Sequence, residues 1–211
     1  MSAADMTSIH LMTAAVIRYT LGMGRWGPDA RGRLERAAME LYVERGFEQT
    51  TVAEIAERAD LTERTFFRHF SDKREVLFRG AGLLQDHVLN AILRTPASVA
   101  PLQAVTTGLE AAGDYFQGSP ERSRVRQSVI QANAELQARE LSKMAALSSA
   151  ISGALRQRGV SDGAADLTAE AGVVIFRIAF ERWIGSTGDE PWASLIQTVL
   201  DDLRAVIAPL P

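Results

Sequence analysis

Apolar residues recur along most of this chain with the 3.6-residue period of helices that bury one face. Leu34, Ala37, Ala38, Leu41 and Tyr42 line one side of a run over Asp29–Arg45, and Gly46 ends it as a left-handed cap. Val52, Ile55, Ala56 and Ala59 form a shorter stripe, and Thr51 with Glu54 has the spacing of a capping box at its start. Asp60 and Leu61 interrupt the pattern. Thr62 then suits an N-cap, and a third helix runs to about Phe70, with Phe47 plugging the small core beside Ile55, Phe66 and Phe70. From Asp72, whose spacing to Glu75 repeats the cap, the period runs unbroken to about Leu93. That predicts one stiff helix on the order of 30 Å long.

The remainder is helical by the same criterion, over Pro101–Gln117, Pro120–Asn133, Glu135–Arg158, Ala164–Ser186 and Pro191–Ile207, with Gly- and Pro-rich breaks between. No strand pattern or internal repeat interrupts it, so the expected fold class is all-α. The last two helices are the most apolar. Val173, Val174, Phe176, Ile178, Phe180 and Trp183 surround one, and Trp192, Leu195, Ile196, Val199, Leu200 and Leu203 stripe the other. Faces that apolar must be covered, either by the chain's own core or by a second copy meeting them in a two-fold four-helix bundle. Residues 1–28 stand apart. Ile9, Met12, Val16 and Tyr19 keep a rough helical spacing, and Arg18 within them argues against a secretory signal. They are either an added helix or an extension upstream of a start at Met12 or Met23. A basic arm carrying Arg25 or Arg31 could enter a minor groove.

Composition narrows the classes. The 211 residues are 46% hydrophobic with a net charge of −3, enough for a sizeable core and against a general nucleic-acid coating protein. No run of eighteen apolar residues exists, so no membrane partner is expected. The absence of cysteine removes disulfides and thiolate metal sites and fits a reducing, cytoplasmic setting. His10, His69 and His87 pair with no visible nucleophile, and Asp86 beside His87 points about 100° away from it on a helix. No phosphate-binding loop or zinc-protease motif is present, so neither enzymatic activity nor a cofactor or metal is expected. Between Arg25 and Arg79 eleven Lys or Arg balance eleven Asp or Glu, so any DNA affinity depends on where the arginines point.

On a helical wheel with Phe66 at zero, Phe70 falls near 40° and Thr62 near 320°, both inward, while Arg64 and Arg68 fall near 160° and 200° on the outer ridge. Thr65 and His69 flank that ridge on one side, Glu63 and Phe67 on the other. Two arginines one turn apart match the O6 and N7 acceptors of guanine in a major groove. The hydroxyls of Thr51, Thr62 and Thr65 and the imidazole of His69 could hold phosphates at the margins. The plain alternative is a solvated face beside a small core.

The stretch A-A-M-E-L-Y-V-E-R-G-F-E-Q-T-T-V-A-E-I-A-E-R-A-D-L-T-E-R-T-F-F-R-H-F-S-D-K-R-E-V-L resembles the N-terminal domain of the TetR family of bacterial transcriptional regulators. The resemblance implies a three-helix helix-turn-helix DNA-binding domain over 29–75 and a C-terminal helical ligand-binding and dimerisation domain over 76–208. It implies a homodimer on a palindromic double-stranded DNA operator, released by a small-molecule effector whose contact residues stay unassigned. By the same resemblance Lys73 touches a phosphate. The chain departs from the family at Asp60, where a small residue or glycine is frequent, and at Phe67 and His69, where tyrosines are. Phe67 has no hydroxyl for a phosphate and is left with van der Waals contact to a sugar or thymine methyl; Asp60 is expected to face away from the DNA. Asp60, Phe67 and the neutral charge are the hints for the competing class, a helical ligand-binding or protein-interaction module that does not bind DNA. Tyr115, Phe116, Met144, Phe176 and Phe180 are candidate pocket linings, with Gln127, Gln131, Asn133 or Arg177 as polar anchors.

Overall fold

The computed structural model describes residues 29–113, 120–186 and 190–208. Contacts divide the chain at residue 30, and the unit beginning at Arg31 is the one described below. The extension over residues 1–28, with Arg25, lies outside the described residues, as do Tyr115 and Phe116.

Every regular element among the described residues is a helix: α1 (Ala30–Arg45), α2 (Val52–Arg58), α3 (Glu63–His69), α4 (Glu75–Phe78), α5 (Ala81–Arg94), α6 (Pro101–Ala111), α7 (Pro120–Gln131), α8 (Ala134–Gln157), α9 (Asp162–Gly185) and α10 (Trp192–Ile207). The expected all-α class is what forms. Two hydrophobic cores organise the helices. The first gathers Leu34, Leu41, Tyr42, Phe47, Ile55, Phe66 and Phe70 with Val76, Leu77 and Phe78, and it draws Val129, Ile130 and Leu136 from the α7–α8 corner. The second joins α5, α6, α8, α9 and α10 around Ile151, Leu155, Ile175, Trp183 and Trp192. Trp192 meets Phe176 at 5.7 Å and Trp183 at 6.3 Å, edge to face, and its Nε1 donates to the carbonyl of Leu109 at 2.7 Å.

Two readings of the pattern change. The single helix expected from Asp72 to Leu93 is broken after Phe78, and α5 resumes at Ala81. Gly80 and Gly82 weaken helix there, and Arg126 Nε donates to the Leu77 carbonyl at 2.6 Å, a group that a continuous helix would offer to the amide of Ala81. A 14-residue α5, about 21 Å long, replaces the longer lever. Thr62, placed inward by the wheel, is exposed, because as N-cap it has extended backbone (φ −101°, ψ 157°) and lies outside the helical turn.

Candidate nucleic-acid interface

The α2–α3 unit is built by local chemistry. Thr51 Oγ1 accepts from the Glu54 amide at 3.2 Å while Glu54 Oε2 accepts from the Thr51 amide at 2.9 Å, which completes the capping box. At the other end of α2, the Leu61 amide donates to the Ala56 carbonyl and the Asp60 amide to the Glu57 carbonyl, both at 2.9 Å. That pair of bonds is a Schellman closure, and it requires Asp60 to take φ +53°, the left-handed region. That conformation favours glycine, so Asp60 holds the turn at a conformational cost. Its side chain is fully exposed, and Arg33 lies 3.9 Å from its carboxylate. Thr62 Oγ1 then caps α3 by accepting from the Thr65 amide at 3.2 Å, and the two threonine hydroxyls lie 3.1 Å apart.

Phe66, wholly buried, and Phe70 seat α3 on the first core, their rings 5.4 Å apart. This seating turns Arg64 and Arg68 to solvent, and no hydrogen bond or ion pair among the described residues holds either guanidinium. Phe67 is 55% exposed and braced edge-on by Phe66 at 5.5 Å. Thr51 and Thr62 are also exposed, and Thr65 is half-buried. His69 differs from expectation: its Nε2 is buried with no partner among the described residues, so that nitrogen does not face a phosphate. On the wheel His69 lies three residues from Phe66, about 60° from the buried face, and the residue is half-buried.

Lys73 faces its own chain. Its ammonium donates to the carbonyls of Phe47 and Thr50 at 2.8 Å and of Glu48 at 3.3 Å, and lies 4.4 Å over the Phe47 ring. At the position expected to touch a phosphate, three carbonyls of the α1–α2 loop converge on the three ammonium donors. Arg31 is likewise turned to the protein, over the Phe70 ring at 5.4 Å and 3.7 Å from Glu35, rather than poised for a minor groove.

Charged side chains fix the surroundings. Arg58 forks onto Glu44 at 2.9 and 3.1 Å, which raises the guanidinium and lowers the carboxylate, and Arg45 reaches Glu54 at 2.8 Å. Asp72 accepts from the amides of Arg74 and Glu75 at 2.8 and 3.2 Å and pairs with the Arg74 side chain. Burial pushes its carboxyl up, but these bonds outweigh it and hold the group below the ordinary range. Glu75 does not close a second capping box; it binds Arg139 at 2.9 Å and Lys143 at 3.5 Å on α8, while Arg74 also pairs with Glu135.

Of the expected pocket residues, Phe176 is core, stacked on Phe180 at 6.2 Å, and Met144 packs at the core's edge. The polar anchors do not converge: Gln127 donates to Glu140, Arg177 pairs with Glu181, and Asn133 caps α8 by accepting from the amides of Glu135 and Leu136. An open groove of about 640 Å³ lies instead along α5 and α6, lined by Leu83, His87, Asn90, Arg94 and Thr107 among others. Asn133, Glu48 and Arg126 emerge as linking residues that periodicity alone did not single out. The sole signal was the Asn before Ala134-Glu135-Leu136, an N-cap in the sequence. No cluster of His, Asp or Glu among the described residues could hold a metal ion, and no described helix is long and apolar enough to cross a membrane.

Comparison with known proteins agrees with this architecture. Residues 35–79 match the model for bacterial regulatory proteins of the tetR family, and residues 99–208 match the MftR C-terminal domain. The HTH-type transcriptional regulator TcmR of Streptomyces glaucescens is 41% identical over 81 residues, 38% of this chain and 36% of that protein. The HTH-type transcriptional activator FasR of Mycolicibacterium smegmatis is 38% identical over 64 residues, 30% of this chain and 28% of that protein. Each match thus spans well under two thirds of the curated relative's length. Among solved structures, a SmeT–triclosan complex aligns with a TM-score of 0.59 at 18% identity over 86% of this chain and 99% of that chain. NalD, the secondary repressor of the MexAB-OprM multidrug efflux pump in Pseudomonas aeruginosa, aligns with a TM-score of 0.57 at 15% identity over 83% and 95%. At these identities the structures support the fold alone. The second family model covers more than half of the sequence, and with the first it settles the assignment: the chain belongs to the TetR family of bacterial regulatory proteins, which are regulators and not enzymes.

Proposed function

We propose that this chain is a cytoplasmic, ligand-responsive transcriptional regulator, acting as a repressor, that binds a palindromic operator as a homodimer. Residues 29–75 read DNA and residues 76–208 sense the effector and pair the subunits. The observation that carries this reading is the exposed pair Arg64 and Arg68, one turn apart on a helix seated from behind by Phe66 and Phe70. In this reading their guanidiniums take base edges in the major groove, Phe67 contacts a sugar or thymine methyl, and Thr51, Thr62 and Thr65 lie toward the backbone.

Homodimerisation is supported by α9. Leu167 (76% exposed), the half-buried Ala171 and Val174 (40% exposed) recur at spacings of four and three, an apolar stripe that runs on to Ile178 at the edge of the second core. A second copy covering it would set two α3 helices in two-fold relation. The effector, whose site is unassigned, would favour the arrangement in which those helices no longer match successive major grooves.

Selection of bound duplexes from a random pool tests the whole reading. Enrichment of a two-fold symmetric consensus, its half-sites a whole number of helical turns apart, is the expected result. A pool that returns no consensus would overturn it.

A further inference from the structure

Helices α4 and α5 are separated by only two residues, Arg79 (φ −47°, ψ −43°) and Gly80 (φ −77°, ψ −11°), and both lie in the right-handed helical region. Only the Gly80 ψ departs, by about 30°, from the ordinary helical value. The ladder stops all the same. The Leu84 amide starts α5 by donating to the Gly80 carbonyl at 2.9 Å, while the Leu77 carbonyl accepts from Nε of Arg126 on α7 at 2.6 Å. A side chain that enters the ladder beside a glycine is a sufficient cause of such a break. Arg126 is aimed by its neighbours: the guanidinium lies 5.2 Å from the Phe78 ring, Nη1 donates to Glu140 on α8 at 3.3 Å, and Gln127 donates to the same carboxylate at 3.1 Å. The segment it holds belongs to the reading unit. Val76, Leu77 and Phe78 are buried in the first core with Phe66 and Phe70, the residues that seat α3.

We propose that Arg126 is a positioning residue for the reading unit: by occupying the Leu77 carbonyl it keeps α4 from fusing with α5, and so holds α4 in its seat beside α3. The proposal rests on reading α3 as the DNA-contacting helix. Two donors compete for the Leu77 carbonyl, the Arg126 guanidinium and the Ala81 amide four residues on, and a small rotation at Gly80 exchanges them. With the guanidinium removed, continuing the helix is the nearest way to satisfy a carbonyl in a part-buried setting. Helix α4 would then follow the axis of α5. Because Arg126 belongs to α7 and Glu140 to α8, a rearrangement of the C-terminal helices reaches this carbonyl through one side chain.

The test uses the full chain, as wild type and as Arg126→Met, which keeps an unbranched side chain over Phe78 but no donor. Hydrogen exchange of the Ala81 amide is followed in the free proteins against the amides of α9, and affinity is measured on the duplex selected from the random pool. In Arg126→Met the Ala81 amide is expected to exchange several-fold more slowly than in the wild type, even if the α9 amides exchange faster, and the duplex to bind several-fold more weakly. A merely structural contact would speed exchange at Ala81 as elsewhere. Unchanged or faster Ala81 exchange would overturn the proposal, and slower exchange with wild-type affinity would overturn the positioning role. If Arg126→Met does not fold, Glu140→Gln, which loosens the guanidinium without removing it, decides by the same two readouts with smaller changes. Were the wild type to bind no duplex, the reading of α3 would fail, and Ala81 exchange would still decide whether Arg126 holds the break.

Discussion

Asn133 Nδ2 donates to Glu48 Oε1 across 2.6 Å, joining the N-cap of α8 to the loop that leads into α2. One side chain does two things here, since its Oδ1 also accepts from the Glu135 and Leu136 amides. With Val129, Ile130 and Leu136 in the first core, this contact ties the C-terminal helices to the reading unit. Asn133→Ala should cost about 1 kcal/mol or more in urea unfolding, whereas Asn133→Ser keeps a capping hydroxyl and should lose only part of that. Equal losses would mean that the Glu48 contact, not the cap, carries the stability.

Asp60 holds a left-handed backbone at the end of α2 with an anionic side chain beside the helix carbonyls. Both features oppose stability: the conformation favours glycine, and the charge meets the negative end of the helix dipole. Its 3.9 Å contact with Arg33 is exposed and offsets little. Asp60→Asn should raise stability by a few tenths of a kcal/mol and Asp60→Gly by about 0.5–1 kcal/mol. Loss of stability in both variants would contradict this account of the turn.

Helices α6 and α9 approach closely at Gly172, where a Cβ would lie 2.5 Å from Val105 Cγ1. Alanine ordinarily favours a helix over glycine, but here the overlap should dominate, and Gly172→Ala should cost about 1–3 kcal/mol in thermal or urea unfolding. Adding Val105→Ala should recover part of that loss. A neutral Gly172→Ala would show that the two helices can part freely.

Stability should depend on acid in a defined direction. Asp72 is lowered by bonds from Arg74 and two amides that outweigh its burial, Asp166 by the Ser152 hydroxyl and Arg156, and Glu54 by the Thr51 amide and hydroxyl. Folded values below unfolded ones give stability that is fully present above the unfolded carboxylate range, about pH 4, and is lost as pH falls through the lowered folded values. Urea midpoints should therefore hold steady above about pH 5 and fall below about pH 4. Asp72→Asn should flatten that fall, and an unchanged profile would remove Asp72 from the explanation.

The reading unit could be taken from the sequence because its determinants are local. Thr51 with Glu54 and Thr62 cap their helices as their spacing requires, and Phe66 and Phe70 recur one turn apart, which fixes where Arg64 and Arg68 point. Gly46 closes α1 for the same kind of reason. What escaped was set by distant parts of the chain. Lys73 is claimed by carbonyls 23 to 26 residues earlier, and the break before α5 is stabilised by Arg126, 49 residues from the Leu77 carbonyl it binds. Periodicity cannot register a hydrogen bond between residues so far apart.

The central claim is that Arg64 on α3 reads a base edge. Its most direct test is the affinity of Arg64→Ala for the selected operator and for a scrambled duplex of equal length at one salt concentration. Expected from this claim are a loss of about 1–3 kcal/mol for each half-site of the operator, relaxed preference at one base pair in each, and a much smaller loss on the scrambled duplex. Equal losses on both would contradict it.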